Sequence, residues 1–249
     1  MSLRILFLNL LGTDIYNDHR EGLLQEQVNP DTELVIRNLD GVPKTPFLPS
    51  PALFYNQYFH AVIDAEKQGY DCVATSCCAD PGLKDAKDLV NIPVVGPFEA
   101  AVRAVPSTGG RLSIISPLLE CGELENLPNS VNWARERARE YGALEYVASV
   151  RSAPAEHPSN EDAIRLFQND PDLLRQIVLD NMGASIQKFG LEQARLAVVE
   201  DEANIIFFSC AFWGGMLQSV AKSVPAVVLD PLFTVLKYAE YAGSLAKFH

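Results

Sequence analysis

Two cysteines, Cys77 and Cys210, each follow a serine at the end of a short apolar run. The segments around them resemble each other, because each thiol is followed by glycine, a helical pattern and a second apolar run that ends in proline. Such a repeat predicts two equivalent turns in two similar halves. One thiol on each side of a ligand could remove a proton from one face of a carbon and return a proton to the other. The pattern therefore indicates a pseudo-symmetric proton-transfer site.

A structural role is the alternative for any single cysteine, since cysteine is often a small buried apolar residue. Cys72 lies inside a predicted strand and Cys121 has no partner motif, so both fit that role. Cys78 neighbours Cys77, and the repeat favours Cys77 as the reactive residue because Ser-Cys aligns with Ser-Cys. The odd total of five cysteines favours reduced thiols over a disulfide framework.

Metal-binding and Cys–His chemistry have little support in the sequence. Cys77 and Cys78 are adjacent and lack C-x-x-C spacing, and neither cysteine motif contains histidine. The four histidines lie outside both motifs: His19, His60, His157 and His249. We therefore expect no metal site and no Cys–His nucleophilic dyad.

The elements that must position the cysteines are short apolar runs separated by segments with helical periodicity. The predicted strands are residues 5–11, 34–39, 72–76, 94–96, 112–116, 144–150, 205–209 and 226–229. This alternation is typical of parallel sheets covered on both faces. The fold-class prediction is therefore α/β, with two pseudo-symmetric lobes that each hold a short, mostly parallel sheet flanked by helices. We assign residues 1–104 to the first lobe, with 226–249 packing back on it, and 105–225 to the second.

Helical patterns fall between these runs, at residues 16–27, 52–68, 82–90, 99–105, 131–141, 171–189, 191–200 and 232–248. Gly69, Gly142 and Gly190 are predicted to end helices. Residues 42–51 contain four prolines and read as a loop near a cleft, and residues 151–160 also read as a loop. In parallel sheets, ligands bind at the carboxyl ends of strands, where a helix N-terminus would lower the pKa of a thiol.

Composition excludes several classes of function. With 249 residues and 48% hydrophobic residues, the chain can bury a sizeable core. A net charge of −12 without a basic cluster argues against nucleic acid and an anionic membrane as partners. The sequence has no apolar run long enough for a membrane helix and no signal-peptide pattern at its start, so we expect a cytoplasmic protein.

The stretch S-C-C-A-D-P-G-L, with the later V-V-G-P-F-E-A-A, resembles the aspartate/glutamate/hydantoin racemase superfamily, and most closely its hydantoin and allantoin racemase branch. Cys77, residues 80–82 and Glu99 fall on the family's cysteine, D-P-G and V-G-x-x-E-A-A positions. In the second half, S-C-A-F-W-G-G-M and V-V-L-D-P are similar to the family's G-C-A-G and V-P-V-I-D. The resemblance covers nearly the whole chain.

The resemblance implies a cofactor-independent racemase with an active-site cleft between two α/β lobes. Cys77 would remove the proton of one enantiomer as a thiolate while the Cys210 thiol protonates the opposite face, and the roles would exchange for the other enantiomer. The expected substrate-binding residues are Asn9, Ser76, Cys78, Ser116, Ala211 and Phe212. The superfamily often forms dimers, so a homo-oligomer stays open beside the small-molecule substrate.

Three segments depart from the family pattern. Leu10 stands where the family has proline, and Ser116 is the one comparable hydroxyl before Pro117. Phe212 and Trp213 replace small residues beside Cys210, where they either reshape the pocket or serve as core aromatics.

Charge near the cysteines bears on the substrate. Neither motif contains Arg or Lys, and Lys84, Lys87 and Arg103 are expected to be solvated on helices. This favours a neutral ring, such as a 5-substituted hydantoin or allantoin, over aspartate or glutamate. Two alternatives stay open: a cysteine-dependent isomerase or decarboxylase of the same superfamily, similar to maleate isomerase, and a non-catalytic protein that binds a small metabolite.

Overall fold

The computed structural model describes residues 2–119 and 130–247. The chain divides into two compact units, the first formed by the residues up to Pro97 and from Leu232 onward, and the second by Phe98–Pro231. Cys121 and His249, which carried sequence predictions, lie outside the described residues.

Each unit is built on a four-stranded sheet. The strands follow in chain order as β1 (Leu3–Asn9), β2 (Thr32–Asn38), β3 (Cys72–Thr75), β4 (Val94–Val95), β5 (Leu112–Leu119), β6 (Val147–Ala155), β7 (Ile205–Phe208) and β8 (Val227–Leu229). The first sheet has the order β2-β1-β3-β4 and the second the order β6-β5-β7-β8. Every pair of neighbouring strands is parallel. The same strand order is thus built twice, and the predicted α/β fold class is confirmed.

Helices connect the strands. They are α1 (Asn17–Gln25), α2 (Tyr55–Lys67), α3 (Leu83–Asp88), α4 (Pro97–Thr108), α5 (Ser130–Glu140), α6 (Asn160–Asn169), α7 (Pro171–Ser185), α8 (Leu191–Asp201), α9 (Gln218–Ala221) and α10 (Pro231–Ala246). Ser159 accepts a hydrogen bond from the Asp162 N–H and caps α6, as its side chain predicts. The connection after β2 is a long loop that ends in a 3-10 turn at Pro51–Leu53.

The helices of the first unit cover both faces of its sheet. On one face, Gly243 of α10 lies so close that an added Cβ would stand 3.2 Å from the Cβ of Cys72. The same helix reaches the end of α1, where Lys237 donates to Gln27 O. The connection from β1 to β2, which contains α1, and the connection from β2 to β3, which contains α2, cross the sheet in opposite directions. Because both crossovers are right-handed, α1 and α2 lie on opposite faces of the sheet. Thr75, which alternates with Cys72 along β3, therefore faces α2.

The second unit has an aromatic core around Phe98. Its ring lies 5.5 Å from Trp133, 6.3 Å from Tyr141 and 5.9 Å from Phe207, measured between centroids. These rings connect α4, α5 with the residue after it, and β7; Phe98 and Phe207 are buried, and Trp133 and Tyr141 are half-buried. Edge-to-face or tilted arrangements of this kind add to the apolar burial.

Gly190 does not end a helix. Gly69 and Gly142 have φ values of 75° and 65°, as predicted for helix C-terminal glycines, whereas Gly190 has φ −60° inside a π turn (Ile186–Gly190) that joins α7 to α8. An added Cβ at Gly190 would lie 3.0 Å from the ring of Phe208. The glycine there allows the helix to approach β7 closely instead of turning the chain.

The loop predicted at residues 151–160 is shorter than expected, because β6 extends to Ala155. Residues Val147–Ala155 pair with β5, and β6 is an edge strand of its sheet. An edge strand tolerates Pro154, whose missing N–H deprives no further strand of a hydrogen bond. The prediction was wrong because it treated proline as the end of the strand.

The boundaries of the two units also differ from the predicted lobes. The units divide at Pro97 and Leu232 rather than after residues 104 and 225. The boundary at Leu232 has a clear physical cause, since β8 pairs with β7 and so belongs to the second sheet. The chain rejoins the first unit only with α10.

Candidate active site

Cys77 and Cys210 occupy equivalent places in the two units. Each lies two residues after the strand that stands third in its sheet, because β3 ends at Thr75 and β7 at Phe208. Each of these strands lies between two others, so the cysteines follow interior strands at the carboxyl edge. Both thiols are partly exposed, whereas Cys72 and Cys78 are buried. Access to solvent therefore distinguishes the two repeated cysteines from these neighbours.

The turn that carries Cys77 is compact and left-handed at Asp80. The Asp80 N–H donates to Cys77 O at 3.0 Å, and the Leu83 N–H donates to Asp80 O at 3.3 Å. Asp80 has φ 47° and is only 1% exposed. This conformation is unusual for a residue other than glycine, although aspartate tolerates it better than most.

Gly96, directly after β4, allows this turn to close. A Cβ at Gly96 would lie 2.2 Å from Oδ1 of Asp80, closer than any side chain could stand. The carboxylate therefore packs against the backbone of the adjacent strand end. The family resemblance gave Asp80 no role, and its burial against Gly96 indicates that it holds the turn.

The turn after Cys210 is a 3-10 turn (Ala211–Trp213). The Trp213 N–H donates to Cys210 O at 3.0 Å, and the Trp213 ring meets Phe208 edge-on at a centroid distance of 5.6 Å. The Gly215 N–H donates to Oδ2 of Asp230 at 2.6 Å, which ties the segment to the end of β8. Here the indole is fully buried, so of the two alternatives for Trp213 the structure favours the core aromatic.

Neither thiol lies at the first turn of an α-helix, contrary to the expectation from the sequence. α3 begins at Leu83, six residues after Cys77, and the next α-helix after Cys210 is α9, which begins at Gln218. A helix dipole acts within about one turn of the helix end. Stabilisation of a thiolate at these positions must therefore come from other groups.

Three of the predicted binding residues lie in the first unit. Leu8 pairs with Thr75, so Asn9 and Ser76 leave adjacent strands side by side. Asn9 is fully buried, accepts a hydrogen bond from Arg20 at 2.9 Å and donates one to Asn17 at 3.1 Å. Ser76 and Cys78 are each 4% exposed. The structure thus brings these residues to one strand edge with Cys77, without testing contact with a substrate.

The other three lie in the second unit. Ile115 pairs with Phe208, so Ser116 has the same place in the second sheet that Asn9 has in the first. The Ser116 hydroxyl is buried and has no hydrogen-bond partner among the described residues. Ala211 and Phe212 are partly exposed on the 3-10 turn.

Two residues near these strand ends were not found from the sequence. Arg20 is 3% exposed on α1 and donates to Asn9, although the sequence placed no cation at the site. Tyr58 is fully buried on α2. Helical spacing gave a signal for both, since Arg20 shares a helix face with Leu24, and Tyr58 shares one with Val62. Lys84 and Arg103 are exposed, as predicted, whereas Lys87, for which the same was expected, is half-buried.

Tyr58 lies in a charged environment despite its burial. Desolvation raises the pKa of its phenol, and the charges of Asp80, Tyr55 and Cys77 raise it further. In the second unit, burial lowers the pKa of His157 to about 4, so this side chain is neutral near pH 7. Within the described residues, no group of three or more His, Cys, Asp and Glu side chains could hold a metal ion. In the same part of the chain, no helix is long and apolar enough to span a membrane.

Comparison with known proteins identifies the family of this chain. The family model of Asp/Glu/hydantoin racemases matches residues 5–239. The chain belongs to the Asp/Glu/hydantoin racemase family. Family membership makes it an isomerase of the racemase type, and the resemblance noted in the sequence is confirmed.

Individual relatives agree with this assignment. The chain is 26% identical over 200 residues to the hydantoin racemase of Pseudomonas sp. (strain NS671), a match covering 78% of this chain and 69% of that protein. It is 25% identical over 175 residues to the hydantoin racemase of Rhizobium meliloti, covering 70% and 61%. The solved allantoin racemase from Klebsiella pneumoniae has a similar fold, with a TM-score of 0.70, 19% identity and coverage of 98% of this chain and 89% of that chain.

Proposed function

We propose that this racemase inverts a carbon stereocentre by a two-cysteine mechanism without a cofactor, and that its substrate is a hydantoin-like ring. The observation that carries the proposal is the equivalence of Cys77 and Cys210, both partly exposed and both two residues beyond the third strand of matching sheets. Two thiols related in this way can serve opposite faces of one carbon.

The proposed reaction balances with thiols alone. The Cys77 thiolate removes the proton from the stereocentre, and the electron pair of the broken C–H bond delocalises into the neighbouring carbonyl. The Cys210 S–H then delivers its proton to the opposite face, which leaves Cys77 as thiol and Cys210 as thiolate. The enantiomer reacts by the same steps in reverse, so no oxidant, reductant or metal is needed.

The substrate class follows from charge and chemistry. Neither cysteine motif contains a cation, and Lys84 and Arg103 are exposed. The buried Arg20 does lie near the strand ends, but its guanidinium already donates to Asn9, which favours a neutral ring over a dicarboxylate. A neutral ring with a carbonyl beside the stereocentre gives a more stabilised carbanion than a free amino-acid carboxylate. The names of the hydantoin and allantoin racemases that this chain resembles support the same substrate class.

A chiral assay tests the proposal. Single enantiomers of a 5-substituted hydantoin, allantoin, aspartate and glutamate are incubated with the protein and analysed by chiral chromatography, with enzyme-free blanks because hydantoins racemise slowly by themselves. We expect inversion of at least one of the two rings and not of the amino acids. Inversion of aspartate or glutamate alone would overturn the substrate class, and conversion of maleate to fumarate without racemisation would favour the isomerase alternative.

A further inference from the structure

The hydroxyl of Tyr58 is a buried donor without an acceptor. Tyr58 is fully buried on α2, and its hydroxyl oxygen has no hydrogen-bond partner among the described residues. Burial of an unsatisfied hydroxyl costs about 1–3 kcal/mol, so such groups are uncommon in folded proteins. An unpaired donor of this kind is available to an acceptor that forms in another state of the site.

The surroundings of Tyr58 point to the Cys77 turn. α2 packs against β3, and an added Cβ at Gly82, within the turn, would lie 3.0 Å from the ring of Tyr55 and 3.3 Å from the ring of Phe59. The first turn of α2 therefore covers the segment that carries Cys77. The ionisable groups that act on the Tyr58 hydroxyl are Asp80, Tyr55 and Cys77.

A second hydroxyl lies on the same side. Thr75, the last residue of β3, is 1% exposed and faces α2, and its Oγ1 also lacks a hydrogen-bond partner in the described structure. Two unpaired hydroxyls, one on the helix and one on the strand, thus lie at the base of the Cys77 turn. In the described part of the first unit, the buried side-chain atoms without a hydrogen-bond partner are these two hydroxyls and Oδ1 of Asn38, at the end of β2.

A donor of this kind would stabilise the Cys77 thiolate. No α-helix begins at Cys77, so the stabilisation expected from a helix N-terminus is missing. The Asp80 carboxylate lies three residues further in the same turn, and a nearby negative charge disfavours ionisation of a thiol. A hydrogen bond donated to the ionised sulfur would oppose this effect.

We propose that Tyr58 is a positioning residue whose hydroxyl donates a hydrogen bond to the Cys77 thiolate and so favours its ionised form. The proposal rests on the proposed role of Cys77 as a base. Deprotonation of the thiol creates the acceptor that the hydroxyl lacks. The donor then keeps the base ready near neutral pH, while the phenol keeps its own proton because its pKa is raised.

The pH dependence of Cys77 alkylation tests this directly and requires no substrate. Rates of iodoacetamide labelling at Cys77 are measured between pH 5 and pH 10 by peptide mass spectrometry in a Cys78→Ala background, which removes the adjacent thiol. We expect Tyr58→Phe to raise the pKa of the Cys77 thiol by about one unit. The matched control is Tyr70→Phe, which removes the hydroxyl of a buried tyrosine at the opposite end of β3 that pairs with Arg37.

Stability separates this role from a purely structural one. Tyr58→Phe removes a hydroxyl that makes no hydrogen bond to any described residue, so the free energy of unfolding of the variant should equal or exceed that of the parent protein. A destabilised Tyr58→Phe variant with an unchanged Cys77 pKa would overturn the proposal, as would an equal rise in Tyr70→Phe. If racemisation is observed, the acidic limb of kcat/KM against pH should move upward with the thiol pKa.

The outcomes also distinguish this inference from the proposed function. A shifted thiol pKa without any racemase activity would support the role of Tyr58 and contradict the function, whereas activity with an unshifted pKa would do the reverse. Should Tyr58→Phe fail to fold, biosynthetic replacement of tyrosine by 3-fluorotyrosine offers a stronger donor at the same position. The Cys77 pKa should then fall, and an unchanged value would contradict the proposal.

Discussion

The two cysteine turns are held by the same pair of residue types in opposite positions. In the first unit, aspartate lies in the cysteine turn and glycine follows the last strand, since Asp80 packs against Gly96. In the second unit, glycine lies in the cysteine turn and aspartate follows the last strand, since Gly215 donates its N–H to Asp230. Both arrangements tie the turn to the neighbouring strand end through a carboxylate.

The swapped positions of aspartate and glycine show which features the two halves of the repeat share. The Ser-Cys dipeptide and the strand order are retained in both units, while the residues that fix each turn differ in identity and position. A symmetric reaction needs equivalent thiols on opposite faces of the substrate, but it does not need identical supports. The difference also gives each thiol its own environment, with a carboxylate in one turn and a buried indole in the other.

Loss of either thiol should have the largest effect. We expect Cys77→Ser and Cys210→Ser each to lower racemisation by about a thousandfold, because the serine hydroxyl is a far weaker base than a thiolate. Circular dichroism melting curves check that both variants stay folded. Near-normal activity in one variant would show that the two turns are not functionally equivalent.

Substitution of alanine for Gly96 and for Gly215 should destabilise the protein by different amounts, because the two glycines support the cysteine turns in different ways. Gly96→Ala places a Cβ on the Asp80 carboxylate and should lower the free energy of unfolding by about 2–3 kcal/mol. Gly215 has φ 79°, and Gly215→Ala should cost about 1–2 kcal/mol through backbone strain. Urea unfolding measures both values, and a Gly96→Ala variant as stable as the parent would disprove the close packing of Asp80.

Protonation of His157, which lies in the second unit, should lower the free energy of unfolding at acid pH. Because burial lowers its pKa from 6.5 to about 4, the unfolded chain binds the proton first as pH falls. The free energy of unfolding should therefore decrease from pH 6.5 toward pH 4, by up to about 1.4 kcal/mol per pH unit from this residue. The salt bridge to Arg151 lowers the pKa of Asp201, and stability from that carboxylate is lost only at lower pH. His157→Gln should flatten the slope between pH 4.5 and pH 6.5, and an unchanged slope would contradict the burial.

The smallest effects concern hydroxyls at the strand ends. Thr75→Val and Ser116→Ala each remove a buried hydroxyl without a hydrogen-bond partner in the described structure, so we expect neither variant to be less stable than the parent protein. Ser209→Ala removes a donor to Ile115 O and should cost about 1 kcal/mol. Equal losses in all three variants would indicate that Thr75 and Ser116 have partners after all.

Much of the fold could be predicted because buried parallel strands leave a strong local signal. β1, β3 and β7 are almost wholly apolar and buried, so their positions followed from composition alone. The extent of β6 did not, because tolerance of Pro154 depends on its place at the edge of the sheet. The role of Gly190 was missed for the same reason, since its contact is with a residue of β7.

Only some residues of the candidate site could be predicted from the sequence. The thiols were found because they repeat, and Asn9 and Ser116 prove to have equivalent register positions beside the two cysteine-bearing strands. Tyr58, Arg20 and the Asp–Gly exchange were missed because they depend on contacts between residues far apart in the chain. Their importance follows from burial and pairing, which a single sequence does not specify.

Deuterium uptake by wild-type protein tests the two-thiol account most directly. A single enantiomer of an accepted hydantoin is incubated in heavy water, and both enantiomers are isolated at low conversion and analysed by mass spectrometry, with an enzyme-free blank. If different thiols serve the two faces, the product enantiomer should carry solvent deuterium while the remaining substrate stays protiated. Deuterium appearing equally fast in the recovered substrate would mean that one group both removes and returns the proton, and the paired roles of Cys77 and Cys210 would be contradicted.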